Sequence, residues 1–541
     1  MALIELVTAL PESIQRSVQT IVTISALYLS WRLWRFSISP VLHPNQPRPF
    51  PYLVPYTPCE RILMINNACV QVFGHIVSMA QNAGATFTRG REYFGNTREI
   101  FTITVMGEDM YIATSPGDVV AVYRDTQKLD FDAFIKDVMH DFGCTNETLE
   151  KMFDSTGKPK HWMDKTHDDF KLQMHPGDRL KSVETQFLGN IDRRMNFDSI
   201  PGTCILESTR DSKLVSLWSW TWIVLAEAAT QAFFGDGILQ VAPSVLDDFW
   251  TFNLEAWKIH SKYPRFAAPK AFNALERSVA AFVDYLRLPK GQRPGACWLV
   301  EQLERGMGEM GISEPTQCGA MLFSLQNLQV FLIQTRQYLI NTNAYRQCFW
   351  CLSYLLHDKT LLDEIKKEIQ PAWKHHTVDM HYLLNMCPLL ASFYEEMLRV
   401  NNEPVGIRLV ASSVTIGGKE LQPGRRLLMP YKQLHMDPFV FGTNVDSFDA
   451  RRFMNGKSLE RSTSWRPFGG AKTHCPGRFL ARREVYMFLA LAIFRFDVKL
   501  VPRPGENVPR FPRADTSIPA GGLLPPKIGD DVFMEVRRSK L

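Results

Sequence analysis

The first strong apolar pattern in the chain runs from Ser17 to Trp31, fifteen residues without a charge that include Ile21, Val22, Ile24, Ala26, Leu27, Tyr28 and Leu29. As a helix it covers about 22 Å, against the roughly 30 Å of a hydrocarbon core, so a span requires Arg16 and Arg32 to snorkel and Trp31 and Trp34 to lie at the interface. A retained signal anchor is the reading adopted, because no small-residue cleavage site follows; an amphipathic surface helix is the alternative. Arg32 and Arg35 put the C-terminal side in the cytoplasm. Seven prolines between Pro40 and Pro58 then predict a semi-rigid, extended arm. Far downstream, Phe479, Val485, Met487, Phe488 and Leu489 recur at helical spacing after Pro476 and Gly477. In Tyr394-Glu-Glu-Met-Leu-Arg399, Glu396 and Arg399 stand three apart, on one helix face, where a carboxylate and a guanidinium can pair.

Composition narrows the class. With 541 residues, 45% hydrophobic and 22% charged, the chain can bury a large core, and a net charge of +5 is too small over this length to imply nucleic acid. Ten scattered cysteines read as thiols in a reducing compartment. Cys348-Phe-Trp-Cys351 has a metal-ligand spacing, but it lies in an apolar helical pattern without a second pair, which argues against zinc. Charge is concentrated locally: between Gly456 and Glu484 there are seven cations, Lys457, Arg461, Arg466, Lys472, Arg478, Arg482 and Arg483, against Glu460 and Glu484.

That basic stretch surrounds the most informative residue. Phe468-Gly-Gly-Ala-Lys-Thr-His-Cys475-Pro-Gly-Arg-Phe-Leu-Ala481 could present one thiolate to an iron, with glycines that allow backbone N–H groups to turn toward the sulfur. The segment resembles the ligand loop of the cytochrome P450 family at Phe468, Cys475, Gly477 and Ala481. It departs at Ala471, where the family usually has glycine, and at Thr473, where a basic residue often reaches a haem propionate. Glu396 and Arg399 resemble the family's helical pair, and Phe448-Asp-Ala-Arg-Arg452-Phe453 resembles the segment that supplies a third partner, Arg452. Gly406-Ile-Arg408-Leu-Val resembles the strand whose arginine binds a propionate, and Leu434-His435-Met-Asp-Pro438 a further landmark.

The distal helix is unusual. Thr342, Asn343 and Ala344 fall where the family commonly carries an acid followed by threonine, and an asparagine can hold a water or a substrate oxygen but cannot titrate. Asparagine here, with Lys128-Leu-Asp-Phe-Asp-Ala-Phe134, is similar to the branch containing bile-acid and oxysterol 7α-hydroxylases and prostacyclin synthase; the style of the signature is similar to fungal secondary-metabolism enzymes. The family's Trp and Arg pair on an early helix is missing, since Trp162 is followed four residues later by Thr166, leaving Lys165 or His167 as substitutes.

The resemblance implies a mainly α fold with small β-sheets, the cytochrome P450 fold, with haem b (iron protoporphyrin IX) between the distal helix and the helix after Cys475. Cys475 is the expected axial ligand; Phe468, Gly470, Gly477 and Arg408 are expected to contact the cofactor, and Asn343 to lie on the distal side. Residues 1–36 are expected to form a membrane anchor, 37–60 a proline-rich hinge, and 61–541 one catalytic domain. The implied reaction is insertion of one oxygen atom of O2 into a C–H or C=C bond of a lipophilic substrate, terpenoid-like, steroid-like or another secondary metabolite. NADPH–cytochrome P450 reductase supplies the electrons, with cytochrome b5 as a further donor, and the basic stretch is the candidate docking face. The alternatives are a haem-thiolate isomerase or dehydratase acting on a peroxide, and a non-catalytic haem-binding protein. The endoplasmic reticulum membrane is the expected location, with the terminal Ser539-Lys540-Leu541 as a competing peroxisomal address.

Overall fold

The computed structural model describes residues 11–52, 74–327, 343–454, 458–471, 474–517 and 522–539. Helices dominate and the sheets are small, as the resemblance implied. The chain forms two compact units, one from Met1–Met79, Thr86–Leu129 and Leu409–Leu428, the other from Ala80–Ala85, Asp130–Arg408 and Met429–Leu541. The boundary between them therefore falls inside the stretch expected to form one domain.

In the first unit, strand Phe101–Val105 pairs antiparallel with Glu108–Ile112. Met106 and Gly107 turn between them with φ of +53° and +84°, the left-handed pair that a two-residue hairpin needs. Arg48–Pro49 adds in parallel to Phe101–Thr102, so the proline-rich arm is partly an edge strand, a position that tolerates proline's missing N–H. Residues 53–60 of the expected hinge lie outside the described residues.

Helix α1, Glu12–Leu33, contains the apolar run, and Ile21, Val22, Ile24, Leu27 and Leu29 are each at least 60% exposed. Its 22 residues reach about 33 Å. No helix among the described residues is long and apolar enough to cross a membrane. Ser13, Gln15, Ser17, Gln19, Thr20 and Thr23 dilute the apolar face. The cations that follow are structural: Arg32 donates to the Tyr52 carbonyl at 2.5 Å, and Arg35 donates to Asp109 at 2.6 Å and Thr104 Oγ1 at 2.9 Å.

The second unit is built on helices α2 (Trp162–Met174), α3 (Asp178–Arg194), α4 (Leu217–Phe234), α5 (Val245–Glu255), α6 (Pro269–Arg287), α7 (Trp298–Glu309), α8 (Pro315–Asn327), α9 (Ala344–His357), α10 (Met380–Asn385), α11 (Pro388–Asn401) and α12 (Arg478–Arg495). At its centre α4 packs on α3 and α9, and α12 packs on the same two helices. Trp220 of α4 meets Phe488 of α12 edge-on at 5.6 Å. From Glu484 to Phe494 every residue of α12 is buried, so this helix is enclosed on all sides rather than amphipathic. Proline starts α11 at Pro388, and the free N–H groups of Leu389 and Leu390 donate to the Glu368 carboxylate at 2.8 and 2.9 Å, which caps the helix from a neighbour. An antiparallel sheet ordered Phe496–Val501, Phe533–Arg538, Lys213–Ser216, Ile205–Ser208 closes this unit.

Candidate functional site

Cys475 is 8% exposed and sits in the turn that feeds α12. Its N–H donates to the Phe468 carbonyl at 3.0 Å, closing the loop between the two residues. The backbone N–H groups of Gly477 and Arg478, at the start of α12, act on the sulfur in the direction that favours its thiolate. A Cβ added at Gly477 would stand 3.5 Å from Sγ and 3.8 Å from Met174 Cε of α2, ordinary contact distances that place this backbone directly against the sulfur. Burial pushes the thiol up to about 12, and the two N–H groups with the Arg478 guanidinium oppose that only in part. The site thus favours a proton on sulfur until a cation binds there, and a metal ion removes that proton on coordination. One buried cysteine with two N–H donors that favour its thiolate fits a thiolate-ligated haem iron.

The loop is held from outside its own sequence. Asn402 Nδ2 donates to the Pro467 carbonyl at 2.9 Å, and the Arg466 N–H donates to His435 Nε2 at 3.1 Å. Burial and nearby cations keep the His435 imidazole neutral, as an acceptor must be. Trp465 packs between His435 and Phe453, 4.8 and 4.9 Å from their ring centres. Gly470 is buried, and Phe468 is partly buried against the core. Ala471 has φ of +51°, the left-handed conformation, so the departure from glycine seen in the sequence has a backbone cost. Ala471→Gly is expected to raise the free energy of unfolding by about 1 kcal/mol, read from the shift of a urea midpoint; an unchanged or lower midpoint removes this account of the strain.

Glu396, Arg399 and Arg452 come together in one cluster, with Glu396 and Arg399 fully buried and the Arg452 side chain nearly so. Arg399 donates through Nε and Nη2 to the two Glu396 oxygens at 2.7 Å each, and Arg452 Nε lies 3.1 Å from both. Arg399 Nη1 also donates to the Val445 carbonyl at 2.8 Å and Nη2 to Ser447 at 3.2 Å, while the Asp449 N–H donates to Glu396 at 2.9 Å. The cluster therefore fixes α11 to the irregular stretch that carries His435 and Arg452.

Arg408 is 2% exposed; its guanidinium lies 5.2 Å from the ring centre of Phe131, and Nη1 donates to the Ile407 carbonyl at 2.7 Å. Two separate motifs of the sequence, around Phe131 and around Arg408, thus meet. Asn343 stands at the start of α9, where Oδ1 accepts the Leu523 N–H at 3.4 Å; Thr342 lies outside the described residues. Trp162 is buried, and a Cβ on Gly306 of α7 would fall 1.9 Å from its Nε1, so the indole is committed to helix packing. Lys165 pairs at the surface with Glu309, 3.0 Å away, and His167 is buried. Cys348 and Cys351 are both enclosed in α9.

The basic face is less free than its sequence suggests. Arg482 pairs with buried Glu395, Arg483 pairs with Glu184 at 3.0 Å, and Arg478 donates to the Cys475 carbonyl at 2.5 Å. A cavity of about 740 Å³ lies against this side of the loop, lined by Phe468, His474 and Arg482 together with His381 of α10 and Glu184 of α3. The carboxylate partners are contributed by α3 and α11, remote in sequence, so a local count of charges could not reveal them.

A family model described as cytochrome P450 matches residues 347–523, which contain Cys475, Arg408 and the buried cluster. The cytochrome P450 monooxygenase poxD of Penicillium oxalicum is 24% identical over 483 residues, covering 86% of this chain and 90% of that protein. The human 7-alpha-hydroxycholest-4-en-3-one 12-alpha-hydroxylase is 24% identical over 478 residues, covering 81% and 86%. Cytochrome P450 7A1 of Sus scrofa is 29% identical over 211 residues, covering 34% and 40%.

Proposed function

The chain belongs to the cytochrome P450 family and is a haem-thiolate monooxygenase of lipophilic substrates, and from that premise we propose that Cys475 is the axial ligand and that the substrate is a polycyclic, terpenoid-like or steroid-like molecule. The observation that carries the ligand assignment is the burial of Cys475 in the turn that feeds α12, inside the stretch that the family model matches. When bound, haem supplies the activation of dioxygen, with electrons that originate in NADPH and arrive through a reductase. The chain's own groups do the rest. The N–H pair orients the sulfur and lowers its basicity, which tunes how strongly it donates to iron. Arg408, with a forked cation beside Phe131, would hold a propionate. Asn343 would hold a water or a substrate oxygen on the opposite side, without itself exchanging a proton.

The polycyclic substrate class is supported by the human relative, whose name specifies a cholestenone. A reductase would approach the side of the Cys475 loop, meeting exposed Arg461 more readily than Arg482 or Arg483, which already have partners. The exposed apolar residues of α1 support attachment to the endoplasmic reticulum membrane from its surface. Of the terminal tripeptide, the Ser539 N–H donates to the Arg495 carbonyl at 3.0 Å, and Lys540 and Leu541 lie outside the described residues.

The test is incubation of the membrane-bound protein and a reductase with a lipophilic extract and isotopically labelled dioxygen. A product carrying one labelled oxygen, formed only with both NADPH and reductase, is expected. Turnover of a peroxide without either would replace this reading with the isomerase one.

A further inference from the structure

Arg346, on the first turn of α9, is 8% exposed and has no carboxylate partner among the described residues. Every partner it has is neutral: Nε donates to Tyr345 Oη at 3.0 Å, Nη1 to the Leu523 carbonyl at 2.7 Å, and Nη2 to Asn253 Oδ1 at 3.3 Å. A guanidinium has five N–H donors, so one remains on each terminal nitrogen, the end of the fork that takes a carboxylate through two parallel bonds. Three other buried arginines have carboxylates: Arg399 pairs with Glu396, Arg293 with Glu304 and Arg503 with Glu506. Removing a charge from water without a counter-ion is costly, and a protein ordinarily neutralises such a group.

The surroundings are amphipathic. Tyr345 packs against Trp218 and Trp222 at 5.0 Å each and against Trp250 at 6.1 Å. On the other side, α9 grips the backbone of residues 523–524: Asn343 accepts the Leu523 N–H, and Trp350 Nε1 donates to the Leu524 carbonyl at 2.8 Å. Arg346 and Asn343 therefore hold the two backbone groups of one residue, which puts the uncompensated charge beside the asparagine expected on the distal side. We propose that Arg346 receives the carboxylate of the substrate, which is a lipophilic acid rather than a neutral hydrocarbon or alcohol. This rests on the haem-thiolate monooxygenase reading and narrows its substrate class.

Dodecanoate and dodecan-1-ol share a chain and differ in charge, and they are the probes. Each is titrated into the holoenzyme, with binding read both from the Soret band and from equilibrium dialysis, which needs no spectral response. Wild type is expected to bind dodecanoate about tenfold more tightly than the alcohol, the size of one charge-assisted contact. Arg346→Gln is expected to abolish that preference while leaving alcohol binding within about twofold, and Arg346→Lys to keep part of it. If Arg346→Gln retains no haem, Arg346→Lys together with the wild-type ratio decides. Equal binding of the two probes by wild type, no binding of dodecanoate, or equal weakening of both by Arg346→Gln overturns the proposal; the last result would make Arg346 only a clamp on Leu523. The carbon monoxide spectrum of the same samples separates this failure from failure of the haem-thiolate reading.

Discussion

Cys475→Ala is expected to abolish the thiolate-type band of the reduced, carbon monoxide-bound protein and to reduce NADPH-dependent turnover to background. The backbone N–H groups of Gly477 and Arg478 favour a thiolate at this sulfur, and alanine leaves no atom there to ligate iron. Cys475→Ser is the sharper variant. It preserves the size of the group, but a hydroxyl is a far poorer donor to iron, so haem could remain while the band and the turnover disappear. A thiolate-type band that persists in either variant would move the ligand to another cysteine and dissolve the site.

Glu396→Gln is expected to lower the free energy of unfolding by about 3–5 kcal/mol, measured by urea titration, and to lower haem content along with it. Two guanidinium groups converge on this carboxylate, and the amide that replaces it leaves both cations buried with one oxygen between them. Arg399 has carbonyl acceptors at Val445 and Ser447 as well, so the stretch leading to His435, and through it the Arg466 N–H, would loosen together. Arg399→Lys is expected to fail similarly, because an ammonium cannot span two carboxylate oxygens and two carbonyls. A loss below about 1 kcal/mol for Glu396→Gln would mean that the cluster is solvated in solution.

The Cys475 turn and the Glu396–Arg399 pair were legible because each is a short motif complete within a few residues, and Arg452 joins the pair as the motif order implied. The helical spacing after Pro476 correctly marked α12, and the mainly α fold followed from the resemblance. What stayed hidden depended on partners distant in the chain. Arg482 and Arg483 counted as free cations until α11 and α3 supplied Glu395 and Glu184. His435 stood in a landmark without a role, because its acceptor function exists only once Arg466 is brought to it. Arg346 was one letter among several after Asn343; only burial beside neutral partners distinguishes it. The departure at Ala471 looked mild in the sequence because a backbone angle is not written in composition.

The way α1 ends sets where the chain can be trimmed. Removing residues up to Ser30 would discard the exposed apolar flank and improve solubility, while Trp31, Arg32, Arg35 and Phe36 would remain to cover Tyr52 and neutralise Asp109. A cut only a few residues later would strip Asp109 of its nearest cation and uncover an aromatic edge, exchanging a sticky handle for a sticky body.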